Sequence, residues 1–243
     1  MSYTYDSFQA ALALNMAVPG GVNSTNFIAI LPTIIDYAEQ RCYRDLDLLN
    51  ATLTITSAMT PLTRLQSLAP LDDSLPILIL ENVNIVLDTE ERYQLYPASR
   101  EWIDSIYGGA RSAGEPVFYG MVDDQTLVLG PWPDQAYACE FVGKFRPVPL
   151  YDAAPEDGTQ STYLTAVLPD LFLAAAMVSA AGYQKNFGAQ ADDPKMAMSW
   201  ETQYQTLLMP AKIEEMRKKQ HGWMALTSQA TPPPTPPPPP PGG

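Results

Sequence analysis

Two spacings of apolar residues alternate along this chain. Near both ends they recur every three or four positions, the spacing of one face of a helix; through the middle many recur every second position, the spacing of a strand. Residues 4–17 predict a short amphipathic helix that Thr4 or Asp6 can cap, with Phe8, Ala11, Leu12 and Asn15 near one face. After the break VPGGVNSTN, capped by Ser24, Thr25 or Asn26, a second helix runs through FIAILPTIIDYAEQRCYRDLDLL. It carries Phe27, Ile30, Leu31, Ile34, Ile35, Ala38, Cys42 and Leu46 on one stripe. Pro32 should sit in its first turn or kink it. Asp36, Glu39, Arg41, Arg44 and Asp45 fall on the other face, which reads as solvated or facing another subunit.

The segments ATLTITSA, LPILILENVNIVLD, RYQLYP, EPVFYGMVDDQTLVLGP and AYACEFVGKF are rich in strand-forming residues. Asp123-Asp124 reads as a hairpin turn, and Thr126 to Phe145 as the two strands of a further hairpin joined by GPWPDQ. The result is a small meander of five to seven strands. One short helix interrupts it, started at Ser99 and stopped by Gly108-Gly109. Helical spacing then returns. Pro169 opens an Ala-rich helix that is apolar nearly all round, with Asp170 beside its positive end. The last helix, residues 193–220, sets Met196, Trp200, Tyr204, Leu207, Leu208 and Ala211 on one side, and Pro210 should kink or break it.

The expected fold is therefore α+β: a helical bundle formed by the N- and C-terminal thirds, an inserted β-meander/hairpin region, and an extended Pro-rich C-terminal tail. The expected divisions are 1–48 (N-terminal helices), 49–150 (the β-rich insertion), 151–220 (C-terminal helices) and 221–243 (the tail). Positions 232–241 are proline except for Thr235. Such a run favours the left-handed extended helix and reaches roughly 30 Å. Pro232, Pro236 and Pro240 mark a segment that either hangs as an unattached end or lies along a neighbouring chain.

Composition narrows the function. Apolar residues make up 46% of the 243 positions, enough for a substantial core. A net charge of −13 argues against a general nucleic-acid binder, yet suits a surface past which DNA slides without sticking. Cys42 and Cys139 lie far apart without a CxxC spacing and read as free thiols. The start lacks a charged n-region and a long apolar run, so no signal peptide is expected, and Leu171 to Ala181 is too short for a bilayer span.

Chemistry is hard to place on this chain. Its one histidine, His221, sits beside a glycine near the tail, and no nucleophile elbow, phosphate loop, dinucleotide fingerprint or metal-ligand spacing occurs. The acidic pairs Asp72-Asp73, Glu90-Glu91, Asp123-Asp124, Asp192-Asp193 and Glu214-Glu215 suit turns and helix starts better than a catalytic couple. No catalytic, metal or cofactor residue is expected, and no cofactor. Contact residues are another matter. Met196 and Met209 read as core filling. Met216 and Met224, beside Trp223 and the basic run Arg217, Lys218 and Lys219, suit a partner surface, an acidic groove being one that would match the run.

The order of these segments resembles a known family. FIAILPTIIDYAEQRCYRDLDL, YPASREWI, EPVFYGMVDDQTLVLGPWPD and YLTAVLPDLFLAAAMVSAAGYQKN with SWETQYQTLL look like successive motifs of tailed-bacteriophage head-to-tail adaptor (connector) proteins. The resemblance covers most of residues 1–210 and leaves the proline tail outside it. It implies a virion protein of the neck, made in the host bacterial cytoplasm. Such a protein forms a ring, typically of twelve copies, below the portal. It would meet the portal protein on one side and tail tube, nozzle or tail-terminator proteins on the other, with genome DNA passing through unread. In that frame Arg217, Lys218, Lys219, Trp223 and Met224 are candidates for portal or neighbour contact. Asp123, Asp124 and Trp132 are candidates for docking the tail proteins. Competing readings are another neck or tail-completion ring, a binding module using its polyproline end as a ligand, and a hydrolase with an unfamiliar acidic site.

Overall fold

The computed structural model describes residues 2–68, 77–87, 91–109, 113–153, 158–183 and 194–228. Helices α1 (Tyr5–Asn15) and α2 (Thr25–Asp45) come first, then strands β1 (Thr52–Ala58), β2 (Leu65–Ser67), β3 (Ile77–Val86), β4 (Arg92–Gln94) and β5 (Tyr96–Pro97). Helix α3 (Arg100–Tyr107) precedes β6 (Ala113–Gly114), β7 (Phe118–Asp123), β8 (Thr126–Gly130), β9 (Trp132–Pro133) and β10 (Ala138–Phe145). The chain returns to helix in α4 (Tyr163–Val167), α5 (Pro169–Tyr183) and α6 (Pro194–Ser228). The fold class is α+β.

Helix starts follow the local chemistry. Thr4 caps α1 through a reciprocal box with Ser7, and the Ser99 hydroxyl accepts from the Trp102 N–H at the start of α3. Pro169 is the first residue of α5, and the Asp170 carboxylate accepts from the Leu171 N–H. Pro210 does not break α6, which runs on past residue 220 to Ser228, and α2 runs unbroken through Pro32 in its interior.

One apolar core gathers α1, α2, α4, α5 and α6: Phe8, Leu12, Phe27, Leu31, Ile34, Phe172, Met177, Tyr204 and Leu208 all belong to it. The Phe8 and Phe172 rings lie 4.7 Å apart. Backbone bonds from the Tyr3 N–H to the Thr165 carbonyl and from the Tyr5 N–H to the Gln160 carbonyl, each 2.9 Å, stitch the chain start to the segment before α5. The small side chains of α5 let neighbouring helices pack closely against it, with Ala174, Ala175, Ala176 and Ala180 fully buried.

The strands depart from a meander. One sheet has the order β1-β10-β3-β4, a second β2-β8-β7-β5, and β6 pairs with β9. Thr126 to Phe145 is not a hairpin, because β8 and β10 lie in different sheets with both edges already paired. Between them, Pro131 and Pro133 cannot donate to a ladder, and Trp132–Pro133 instead pairs parallel with Ala113–Gly114. The β7–β8 hairpin does form, with its turn at Asp124-Gln125. Both sheets contribute to a second apolar core: Ile55, Val83, Ile85 and Phe141 from one, Tyr119, Leu127 and Leu129 from the other. Helix α3 lies over β8 only because position 130 is glycine; a Cβ there would meet the Tyr107 ring at 2.7 Å and Ile103 at 2.9 Å. Cys42 and Cys139 are both free and buried.

Glu39, expected on the solvated face of α2, is buried, 3% exposed, and its carboxylate accepts from the Leu150 N–H at 2.9 Å. Burial pushes its pKa up to about 7, with Asp36 and Asp152 adding to the rise and the Leu150 bond and Arg146 opposing it. A raised acid pKa favours folding below the unfolded value and loses that contribution as pH climbs through the folded one. Glu39→Gln should therefore remove a fall in stability between pH about 4.5 and about 7, worth on the order of 3 kcal/mol. Urea unfolding across that range checks this; parallel curves for the two chains would mean that Glu39 titrates as an ordinary carboxylate.

Candidate functional site

Helix α6 is where contact chemistry concentrates, and its two faces differ. On the inner face Tyr204, Leu208, Ala211 and Glu215 are buried. The Tyr204 hydroxyl donates to Asp45 at 2.8 Å. Arg41 lies 4.1 Å over the Tyr204 ring and pairs with Glu201 at 2.6 Å. Further along, the Glu215 carboxylate accepts from the Leu49 N–H at 3.1 Å, the Tyr163 hydroxyl at 3.0 Å and the Lys218 ammonium at 2.6 Å. Burial alone would raise its pKa, but these donors outweigh burial and hold it below the usual carboxylate range.

Of the predicted basic run, Lys218 and Lys219 are thus matched within the chain. Lys218 also pairs with Glu214 at 2.9 Å and donates to the Tyr163 hydroxyl at 2.8 Å. Burial works against its charge, yet these partners keep its pKa above that of an ordinary lysine. Lys219 pairs with Asp47, and Asp47 also meets Lys144 of β10 at 2.9 Å. Hydrogen bonds from Lys219 and Lys144 hold the Asp47 carboxyl below its usual range. Lys144 continues to the Leu48 carbonyl, Thr52 and Glu81 of β3, so charge runs from α6 into the first sheet. Arg217 alone of the three is exposed, and it makes no ion pair among the described residues.

The outer face of α6 is apolar in a way the sequence only half disclosed. Met209, Ile213 and Met216 are 62, 48 and 57% exposed, and their spacing of four and three places them on one stripe. Met209 is therefore not core filling: the turn that buries Leu208 and Ala211 points it outward. Met216 is exposed, as a partner surface requires. Ile213 was missed, although its spacing from the two methionines was the available signal. Exposed Lys212 and Arg217 flank the stripe. The backbone of Trp223 and Met224 belongs to α6, but their side chains, like that of Met196, lie outside the described residues, as do Pro232, Pro236 and Pro240 entirely.

On the strand side, Asp123 and Asp124 are exposed at the tip of the β7–β8 hairpin, where the Asp123 carboxylate accepts from the Gln125 N–H at 2.9 Å. Trp132 is half-buried past the opposite end of β8, so the three residues do not converge. A second exposed cluster went unread: Tyr96 and Trp102, 63 and 41% exposed, gather with Tyr107 around Phe118, the Trp102 and Phe118 rings 4.9 Å apart. Among the described residues no group of His, Cys, Asp and Glu is arranged to hold a metal ion.

The family model for the SU10 adaptor protein matches residues 3–231. The chain belongs to the SU10 adaptor protein family. The match takes in every strand and helix of the described residues, so the resemblance to phage adaptors holds at the level of family across nearly the whole chain. Membership implies a structural, adaptor role in a bacteriophage. A comparison with curated protein sequences returns no match. No helix among the described residues is long and apolar enough to cross a membrane.

The two faces of α6 should separate under mutation. Glu215→Ala removes a buried acceptor of three donors and should cost about 3 kcal/mol of unfolding free energy. Arg217→Ala, two positions on, should shift it by less than about 0.5 kcal/mol. Equal effects in urea unfolding would show that the inner anchoring assigned to Glu215 is wrong.

Proposed function

We propose that this chain is a head-to-tail adaptor: a structural virion protein that forms a ring, dodecameric in the family pattern, below the portal. The ring extends the DNA channel and presents a docking surface for the tail. The observation that carries this reading is the outer stripe of α6. A 35-residue helix anchored along its inner face leaves Met209, Ile213 and Met216 in water, an arrangement suited to packing against a neighbouring helix. Methionine suits such a surface, because its unbranched side chain adapts to a partner's contour.

Charge supports the same reading. A chain of net charge −13 lets DNA pass without holding it. Arg217, beside the stripe, suits an acidic groove on the portal. Asp123 and Asp124 at one end of the second sheet, and Trp132 with the Trp102 and Phe118 cluster at the other, offer separate surfaces to tail proteins. No turnover chemistry is assigned to any of them.

Mass photometry of the chain mixed with portal protein should show a ring-sized species, and Ile213→Glu should abolish it while leaving the far-ultraviolet circular dichroism unchanged. Free monomer alone in the unmutated mixture would sink the adaptor reading. A ring that survives Ile213→Glu would remove the α6 stripe from the interface. With Arg217→Ala, portal attachment should lose part of its salt sensitivity; an unaltered salt response would show that Arg217 meets no acidic partner.

A further inference from the structure

A cleft of about 390 Å³ opens where the helices meet the first sheet, bordered by Tyr43, Leu46, Asp47, Leu78, Ile79 and Phe145. Its volume is that of a ligand pocket, and Leu78 and Ile79 are left 56 and 63% exposed beside it. We propose that this cleft seats the chain's own proline-rich segment, Pro232–Pro241. The proposal is independent of whether the chain forms rings.

Position is the first argument. Lys219 of α6 pairs with Asp47 on the cleft wall. From there α6 runs nine residues further to Ser228, about 14 Å at helical rise. Residues 229–232 can reach at most about the same distance back, at roughly 3.3 Å each. The proline run therefore starts within reach of the cleft, on a tether of a few residues. A tether that short gives an effective concentration in the millimolar range, which favours the chain's own cleft over that of another copy.

Chemistry is the second. Nine of the ten positions are proline, so the run offers carbonyl acceptors and almost no N–H donors. The cleft offers donors for those acceptors, alongside carbonyls that would stay open to water. Over Ile77–Val83, β3 pairs with β10 on one side and has no second strand among the described residues, so alternate N–H groups face outward there. Tyr43 and Phe145 supply the aromatic surface on which proline rings pack, and a preformed extended helix loses little entropy on docking. Between the end of α6 and the run only Gln229, Ala230 and Thr231 carry both donors and acceptors, too few to line the edge from Ile77 to Val83.

Disulfide trapping tests the proposal. Ile79→Cys is combined in the full chain with Pro234→Cys, Pro236→Cys or Pro238→Cys; buried Cys42 and Cys139 do not compete. Under mild oxidation at least one double variant should form an intrachain disulfide, whereas Ile79→Cys mixed with each tail variant alone should give no dimer. Dimers in the mixtures would overturn the proposal in favour of a neighbouring copy's tail, and absence of any disulfide would overturn it outright. Hydrogen exchange gives a readout free of substitutions: removing residues 229–243 should speed exchange of the amides at 77–80 by about tenfold. Unchanged exchange there also overturns it.

Discussion

Fastening α6 along one face is the constraint on which the rest of the molecule depends. Its inner face could have been apolar throughout, yet it carries Glu201, Tyr204, Glu215, Lys218 and Lys219, each matched by a partner from another element or from the same helix. Hydrophobic packing alone would let a long helix rotate or slide by a turn, because apolar contacts lack direction. Hydrogen-bonded charges fix both rotation and register, since a buried carboxylate such as Glu215 loses the Leu49 and Tyr163 donors if the helix moves. Rotation is what matters for contact. It decides that Met209, Ile213 and Met216 face outward together.

The same charges join the two cores. Lys219, Asp47, Lys144 and Glu81 form a relay from α6 through the segment after α2 to β10 and β3. No member of it is deeply buried, and partly exposed pairs contribute little stability singly. Their use here is geometric. They set how the helical core sits against the first sheet, and the cleft lined by Asp47, Ile79 and Phe145 lies at that junction.

How much of this was legible depended on whether a feature was local. The stripe of α2, the Thr4 and Ser99 caps, Pro169 at the start of α5, and that helix's burial on nearly all sides follow from residues a few positions apart, and sequence carries such information well. Strand identity was also readable, but pairing was not. β10 lies between β1 and β3, a partnership spanning more than fifty residues, and no alternation within Ala138–Phe145 names its neighbours. Strands of two or three residues, such as β2, β6 and β9, are too short to show a period at all. Glu39 misled because a carboxylate reads as solvated until a distant N–H, that of Leu150, is brought to it. Lys218 and Lys219 looked like a surface patch for the same reason: Asp47 and Tyr163 lie far away in sequence. Ile213, by contrast, is local information: it stands four positions after Met209 and three before Met216, on the same stripe.

Charge then distinguishes two kinds of contact that one molecule would make in the proposed neck. Each copy carries a net charge of −13, so gathering copies into a ring is opposed by like-charge repulsion and must be driven by apolar surface such as the α6 stripe. Salt screens that repulsion over about 8 Å at physiological strength, so contacts between copies strengthen as salt rises. A contact between Arg217 and an acidic partner has the opposite dependence, because salt weakens attraction between unlike charges as readily as repulsion between like ones. The two interfaces therefore respond to ionic strength with opposite sign, although stripe and guanidinium are neighbours on one helix. An arrangement of that kind favours self-association where counterions are plentiful and partner attachment where they are scarce, with no conformational change required of the subunit.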